Sequence, residues 1–266
     1  MPMQGLYPLF RKEIVDLSRN RAALLPVLLV AVISLLLPFV VAVIVPATTG
    51  YRLAGDSDLM KVSLIAGRHD ELGPDAQVQF FLFQQFLMLF LVMPVTGAMA
   101  LASYSVVGEK QGRTLEPLLA TPVTTLELLV AKVLGALAPT LAIAAADLAV
   151  YFGGVALAAE PGVLHAMMTP RTFVLIVLVG PALALVALQA AVLISSRVND
   201  PRTAQQFGVL IVIPLVAILV AQFTGSLWLS ASMLLVIGAG LLAVWVFLLI
   251  FSVAVFERET ILTRWT

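Results

Sequence analysis

The chain has 266 residues, of which 61% are hydrophobic and 11% are charged, and its formal net charge is zero. This composition excludes an ordinary soluble domain, because such domains carry about 25% charged residues. The lack of cysteine and of a basic excess also excludes a disulfide-stapled secreted fold, a thiolate metal site and a nucleic-acid-binding protein.

Residues 1–21 predict an amphipathic helix that lies on the cytoplasmic surface of the membrane. Its apolar face, at helical spacing, consists of Leu6, Phe10, Ile14 and Leu17. The largely opposite face carries Arg11, Lys12, Asp16 and Arg19. A solvated leader helix is the alternative. The apolar run that follows is too long for a signal peptide, whose apolar region spans about 7–15 residues.

Six apolar runs follow, and each is long enough to cross a bilayer core, which takes about 20 helical residues. The predicted spans are 22–46, 78–107, 128–158, 172–196, 206–223 and 228–255. We therefore expect an all-α integral membrane protein in which residues 22–266 form a six-span domain. Two longer polar segments separate the early spans, one at 47–77 and one at 108–127.

The distribution of basic residues predicts the orientation, because cytoplasmic loops carry the excess of Lys and Arg. One side of the predicted topology holds 11 of the 15 basic residues. They are Arg11, Lys12, Arg19, Arg21, Lys110, Arg113, Lys132, Arg197, Arg202, Arg258 and Arg264. The other side holds Arg52, Lys61, Arg68 and Arg171. Both termini are thus expected in the cytoplasm, with the 47–77 loop outside.

Proline occurs within five of the predicted spans, where it removes a backbone donor and is expected to kink the helix. These residues are Pro26, Pro38, Pro94, Pro139, Pro181 and Pro214. Kinked helices suit a protein that rearranges, but proline is also simply commoner in membrane helices than in soluble ones. The pattern alone favours neither interpretation.

The cytoplasmic segment between the second and third spans is the most distinctive part of the sequence. Residues 109–122 read EKQGRTLEPLLATP, a polar turn followed by a short apolar helix. Thr124 and Glu127 then form a capping box that begins the third span. A short helix held beneath the membrane could transmit force from a soluble partner, although an ordinary connector would fit the same pattern.

This run, with Glu127 and Lys132 beyond it, resembles the signature of ABC transporter permeases of the ABC-2 type. The family pattern has an acidic residue, a basic or polar pair, Gly, Thr-Leu-Glu, a Leu pair, Pro, and then Glu and Lys in the next helix. Arg113, between Gly112 and Thr114, departs from the common Gly-Thr pair. The basic N-terminus with Arg-Asn-Arg at 19–21, the six spans and the short tail extend the resemblance over nearly the whole chain.

The resemblance implies a transmembrane subunit in the cell (inner, cytoplasmic) membrane that dimerises with a second copy or a sister permease. It implies a separate ABC ATP-binding subunit on the cytoplasmic side, contacted by a coupling helix at 114–126 and by the N-terminal helix. The implied coupling residues are Glu109, Gly112, Arg113, Thr114, Leu115, Glu116, Pro122 and Glu127. Export is the direction that the resemblance favours.

ATP and Mg²⁺ are expected in that partner, because this sequence contains no Gly-x-x-x-x-Gly-Lys-Ser/Thr motif. The Gly-Ala-Gly string at 238–240 lies inside an apolar span without a preceding strand, so it predicts close helix packing rather than a nucleotide site. The two histidines supply no paired metal-ligand spacing. We therefore expect no cofactor, no metal and no catalysis in this chain.

Candidate pathway residues are polar side chains within the predicted spans. Asp147 is the one charge deep inside a span, and Tyr151, one turn later, could donate a hydrogen bond to it. Gln85, Thr96 and Ser103 share one face of the second span. A gating or conduit role competes with structural hydrogen bonding for both groups.

A cluster of phenylalanines in the outer half of the second span predicts contacts with lipid or with a partner subunit, and a substrate or gate contact is the alternative. The cluster consists of Phe80, Phe81, Phe83, Phe86 and Phe90.

The leading hypothesis is thus a permease subunit of an ATP-driven exporter, which forms the translocation pathway as a dimer. A membrane scaffold or mechanotransmitter that uses an ATPase without moving a solute is the second hypothesis. An intramembrane enzyme built around Asp147 is the third, and it lacks a second catalytic group at credible depth. The sequence leaves the cargo open.

Overall fold

The computed structural model describes residues 11, 15, 20–67, 69–111, 125–198, 200, 203 and 206–255. Regular secondary structure in this part of the chain is entirely helical. The predicted helix at 1–21 lies mostly outside the described residues. Asn20 lies at its end and caps the first span, since its side chain accepts a hydrogen bond from the Ala23 N–H at 3.1 Å.

The first four helices include two that are not uniform α-helix. Helix α1 comprises Arg21–Phe39, a π-helical turn at Val40–Ile44, and Val45–Thr49. A 3₁₀ turn at Leu53–Gly55 precedes α2, Ser57–Ala66. Helix α3 comprises Pro74–Phe86, a 3₁₀ turn at Leu87–Leu91, and Val92–Gln111. Helix α4 is Thr125–Ala158.

The second half of the chain contributes four more described helices. Helix α5 is Val163–Met167. Helix α6 comprises Pro170–Val174, a π-helical turn at Leu175–Val179, and Gly180–Arg197. Helix α7 is Val209–Phe223 and α8 is Ala231–Val255.

Five of these helices are long and apolar enough to cross a membrane. The spanning segments are Ala23–Thr49, Pro74–Ser105, Val130–Ala158, Pro170–Ser195 and Ala231–Ala254. Helix α7 is also apolar, but its 15 residues extend only about 22 Å at 1.5 Å per residue. The predicted all-α membrane fold of about six spans is confirmed.

Helix α3 forms the centre of the structure, because 83% of its most apolar window is buried, against 11% for α8. It packs most extensively against α6, α1 and α4, and α6 in turn packs against α8. The exposed apolar side chains of α8, such as Val236 and Phe247, have the character of a lipid-facing surface.

The outer phenylalanine cluster lies inside this core, so the prediction that it contacts lipid or a partner subunit is wrong. All five rings are at most 7% exposed. Phe83 packs against Phe39 and Tyr151 with ring centroids 5.3 and 5.9 Å away, and Phe86 packs against Phe223 at 5.4 Å. The rings are buried because α3 is the central helix, and the spacing of apolar residues along a span does not reveal which helix is central.

The three non-α turns within the spans share a cause. Pro46, Pro94 and Pro181 each follow one of these turns by two or three residues. A proline has no N–H and its ring clashes with the carbonyl four residues earlier, which in each case lies inside the turn. The prediction of local distortion therefore holds at Pro94 and Pro181, whereas Pro26, Pro38, Pro139 and Pro214 lie within α-helical segments.

The 238–240 string does provide close helix packing at its first glycine. A Cβ added to Gly238 would lie 2.6 Å from Cγ and Cδ2 of Leu178 on α6, whereas one added to Gly240 would meet nothing within 4 Å. Only Gly238 thus requires the absence of a side chain.

We expect Gly238→Ala to displace Leu178 and to lower the free energy of unfolding by about 1–3 kcal/mol, as overpacking does. Gly240→Ala, the matched control, should be neutral or raise it by up to about 1 kcal/mol through helix propensity. Thermal unfolding of both variants in one detergent checks this. Equal shifts for the two variants would contradict the α6–α8 contact.

Candidate coupling and pathway sites

The predicted coupling segment connects the C-terminal end of α3 to the N-terminal end of α4 in sequence. Helix α3 ends at Gln111 and α4 begins at Thr125. Glu109 is in the last turn of α3 and Glu127 in the first turn of α4. The remaining predicted coupling residues lie outside the described residues. These coupling residues are Gly112, Arg113, Thr114, Leu115, Glu116 and Pro122. Thr124, the first residue of the predicted capping box, also lies outside the described residues.

Lys132 connects the two helices that carry this segment. It lies on α4, is only 4% exposed, and its Nζ donates a hydrogen bond to Ser105 Oγ of α3 at 3.2 Å. A buried ammonium group without hydrogen bonds raises the free energy of the folded state, so breaking this hydrogen bond would be costly. This hydrogen bond connects α3 and α4 near the ends that flank residues 112–124.

Asp147 joins α4 to α1 in the membrane interior. The residue is 8% exposed, and its Oδ2 accepts a hydrogen bond from Ser34 Oγ at 3.3 Å. Ser34 Oγ also lies 2.9 Å from Val30 O and 3.0 Å from Ala31 O of its own helix. The single hydroxyl proton of Ser34 is thus shared among three acceptors, so its hydrogen bond to the Asp147 carboxyl group is weak.

Tyr151 does not pair with Asp147, so that predicted hydrogen bond is wrong. Its hydroxyl donates instead to the carbonyl of Phe83 at 2.7 Å, and the residue is fully buried. Tyr151 faces α3 because its ring packs among aromatic side chains. These are Phe39, Phe83, Phe90 and Phe152, with centroids 4.7–5.9 Å away.

The other three pathway candidates lie on α3, facing protein to different degrees. Gln85 and Ser103 are fully buried, and their side-chain polar atoms have no hydrogen-bond partner among the described residues. Thr96 is half-buried and bonds back to Val92 O and Met93 O at 3.0 Å. None of the three lines either of the cavities described below, and their role in transport stays a prediction.

Two cavities flank the centre of the bundle. An apolar one of about 210 Å³ lies between α3, α4 and α6 and includes Phe90, Pro94, Leu148 and Pro181 in its wall. A polar one of about 370 Å³ lies where α1 and α4 end and α3 begins, and its wall includes Arg52, Asp75, Gln79 and Glu160. The two cavities therefore suit different ligands. The wall of the first suits hydrocarbon, and the wall of the second suits charged or hydrogen-bonding groups.

Buried glutamines of α3 connect this helix to its neighbours, and the sequence analysis did not identify this role. Gln79 donates to Ala42 O at 3.0 Å and accepts from the Glu160 N–H. The Ala42 carbonyl needs this donor because Pro46, four residues on, has no N–H. Gln84 donates to Thr172 Oγ1 at 3.0 Å and thereby connects α3 to α6.

The segment between α1 and α3, which the sequence predicts to be external, is ordered by side-chain caps. The Asp56 carboxylate accepts hydrogen bonds from the backbone N–H groups of Leu59 and Asp58, which lower its pKa. It therefore stays ionised and caps α2. Asp75 similarly accepts from the Ala54 N–H at 2.9 Å, which ties the 3₁₀ turn to the start of α3.

Arg171 is the other group whose surroundings the sequence analysis did not predict, since it was only counted on the predicted external side, next to a span expected to begin at residue 172. It lies in the first turn of α6 and is only 7% exposed. Thr169, the N-cap that accepts from the Thr172 N–H, and Pro170 at the first helical position are sequence signals that place it inside the helix.

The comparison with known families agrees with this architecture. The chain matches the profile of the ABC-2 family transporter proteins over residues 7–255, which includes every described span and the segment at 109–132. No curated protein matches the chain. A match over nearly the full length, on a chain that folds as a multi-pass helical membrane protein, means that this protein belongs to the ABC-2 family of transporter membrane proteins.

Proposed function

We propose that this chain is the permease of an ATP-driven exporter, that two permease subunits form the pathway, and that a separate ATP-binding subunit supplies the energy. The ATPase is proposed to contact residues 112–124 and the N-terminal helix. Membership of the ABC-2 family carries the permease assignment. Export and dimerisation rest on the resemblance of the 109–132 segment to that family.

The position of the coupling segment supports the proposed energy transfer. It connects α3, the most buried helix, with α4, and the contact between Lys132 and Ser105 makes these helix ends one unit. A push on the segment therefore reaches the core rather than the lipid-facing α8. ATP shifts the conformational equilibrium only if the ATPase contacts the segment differently in its two states.

The non-α turns supply places where the spans can bend. They interrupt the regular hydrogen bonding of α1, α3 and α6 at Val40–Ile44, Leu87–Leu91 and Leu175–Val179. Two of these turns, in α3 and α6, contribute residues to the wall of the apolar cavity. Bending there would change the shape of that cavity, which we propose as a part of the pathway.

Reconstitution separates this function from the mechanotransmitter alternative. The chain and its ATPase are placed in liposomes, candidate solutes are screened, and both ATP hydrolysis and vesicular solute content are measured. The permease assignment predicts a solute that stimulates hydrolysis and crosses the bilayer in an ATP-dependent manner. Stimulation by a protein partner without any moved solute would favour mechanotransmission.

Asp147→Asn tests the enzyme alternative. Asparagine retains an oxygen that can accept from Ser34, so we expect normal assembly with the ATPase and a loss of at most about 1 kcal/mol, which corresponds to about 2–4 °C in Tm. Co-purification and thermal unfolding measure both quantities. An intramembrane enzyme would instead lose its chemistry, and loss of ATPase binding would show that Asp147 does more than join α1 to α4.

A further inference from the structure

A buried cationic cluster lies where α6 begins and where the connection from α7 to α8 passes over it. Arg171 Nε donates to Leu229 O at 2.9 Å, and its Nη2 donates to Gln222 Oε1 at 2.9 Å. The guanidinium carbon lies 4.1 Å from the centroid of the Trp228 ring. Three segments of the chain thus converge on one positive charge.

Two hydrogen-bond donors of this cluster lack acceptors, whereas its acceptors are occupied. Arg171 Nη1 and Gln222 Nε2 are buried and have no acceptor among the described residues. Both atoms are donors, and the acceptors in the cluster already receive hydrogen bonds from Arg171. Buried polar groups are normally satisfied, so a group that can accept from these nitrogens is required.

The charge of the cluster is also uncompensated in the described part of the chain. Arg171 forms no ion pair with a described Asp or Glu, and Gln222 and Leu229 contribute neutral oxygens. The first turn of α6 adds the partial positive charge of a helix N-terminus. A buried cation without a counter-charge is costly, which favours an acceptor that carries negative charge.

We infer that Arg171 and Gln222 form a binding site for one small inorganic monovalent anion, such as chloride. The anion accepts from Arg171 Nη1 and Gln222 Nε2 and neutralises the guanidinium group. It is small because both nitrogens are shielded from solvent. By completing the cluster it fastens the start of α6 to the end of α7, so the stability of the folded chain depends on the anion.

The inference is tested on the full chain in detergent, with its ATPase if that co-purifies. Thermal unfolding is measured at constant ionic strength while chloride or bromide replaces gluconate. We expect a saturable rise in Tm, about 5–11 °C at an anion concentration 100 times the Kd. An unchanged Tm in the wild-type chain would overturn the inference and indicate that water satisfies both donors.

Variants then locate the effect. Gln222→Leu should reduce the chloride-dependent shift and Arg171→Gln should abolish it, while Arg52→Gln, an exposed arginine at the same end of the molecule, should retain it. If Arg171→Gln does not fold, the chloride-dependent Tm shifts of Gln222→Leu and Arg52→Gln determine whether the anion binds at this cluster. A full shift in Gln222→Leu, or a shift lost in Arg52→Gln, would place the anion elsewhere.

Discussion

Replacing Glu116 with alanine should lower permease-stimulated ATP hydrolysis by about 10- to 100-fold. Under the proposed coupling, this carboxylate of the Thr-Leu-Glu run pairs with basic groups of the ATPase. The loss of a charge-assisted hydrogen bond costs about 1.5–3 kcal/mol, which corresponds to this factor in affinity. The measurement is ATP hydrolysis in proteoliposomes as a function of ATPase concentration, which distinguishes weaker binding from slower turnover.

Glu71→Ala is the matched control for this substitution. Glu71 is an exposed carboxylate in the segment between α1 and α3, on the side that we predict to be external. It should leave hydrolysis unchanged, because an external residue cannot contact a cytoplasmic ATPase. Equal activity of Glu116→Ala and Glu71→Ala would remove Glu116 from the coupling contact, and equal losses would contradict the predicted orientation.

Gly154→Ala should destabilise the junction of α1, α3 and α4 by about 1–3 kcal/mol, the range for overpacked cores. The added Cβ would lie 2.6 Å from Cζ and 3.0 Å from Cε1 of Phe39. That ring cannot move freely, because it packs against Phe83 and Tyr151 with centroids 5.3 and 5.8 Å away. We expect Tm to fall by about 2–12 °C, measured by thermal unfolding in detergent.

The neighbouring Gly153 supplies the control for this prediction. A Cβ added there would meet nothing within 4 Å, on the same helix and at the same depth. Gly153→Ala should therefore leave Tm unchanged or raise it slightly, through the better helix propensity of alanine. If Gly153→Ala destabilised the chain as much as Gly154→Ala, the cause would be the backbone of α4 rather than the Phe39 contact.

The sequence predicted the membrane fold because the length and hydropathy of the apolar runs determine which segments can span a bilayer. It could not predict which face of a span meets protein, because lipid and protein interior are both apolar. The outer phenylalanines of α3 were misplaced for this reason. The same uncertainty applies to Tyr151, whose partner at Phe83 is 68 residues away in sequence.

The coupling segment was predicted from its residues, whereas the surroundings of Arg171 were not. The run at 109–122 is local, so its pattern can be recognised without the fold. The surroundings of Arg171 come from α6, α7 and the connection after α7, and only the folded chain brings Gln222 and Leu229 to it. Composition and periodicity do not determine such contacts between segments that are distant in the sequence.

The central claim, that this permease is driven by a separate ATPase through the segment at 109–132, is tested most directly by co-purification. The tagged full chain is extracted from its native membrane, and the retained proteins are identified and assayed for ATP hydrolysis. We predict that an ABC ATP-binding subunit is retained, and that Glu116→Ala weakens its retention while Glu71→Ala does not. Failure of any ATPase to co-purify with the unaltered chain would contradict the claim.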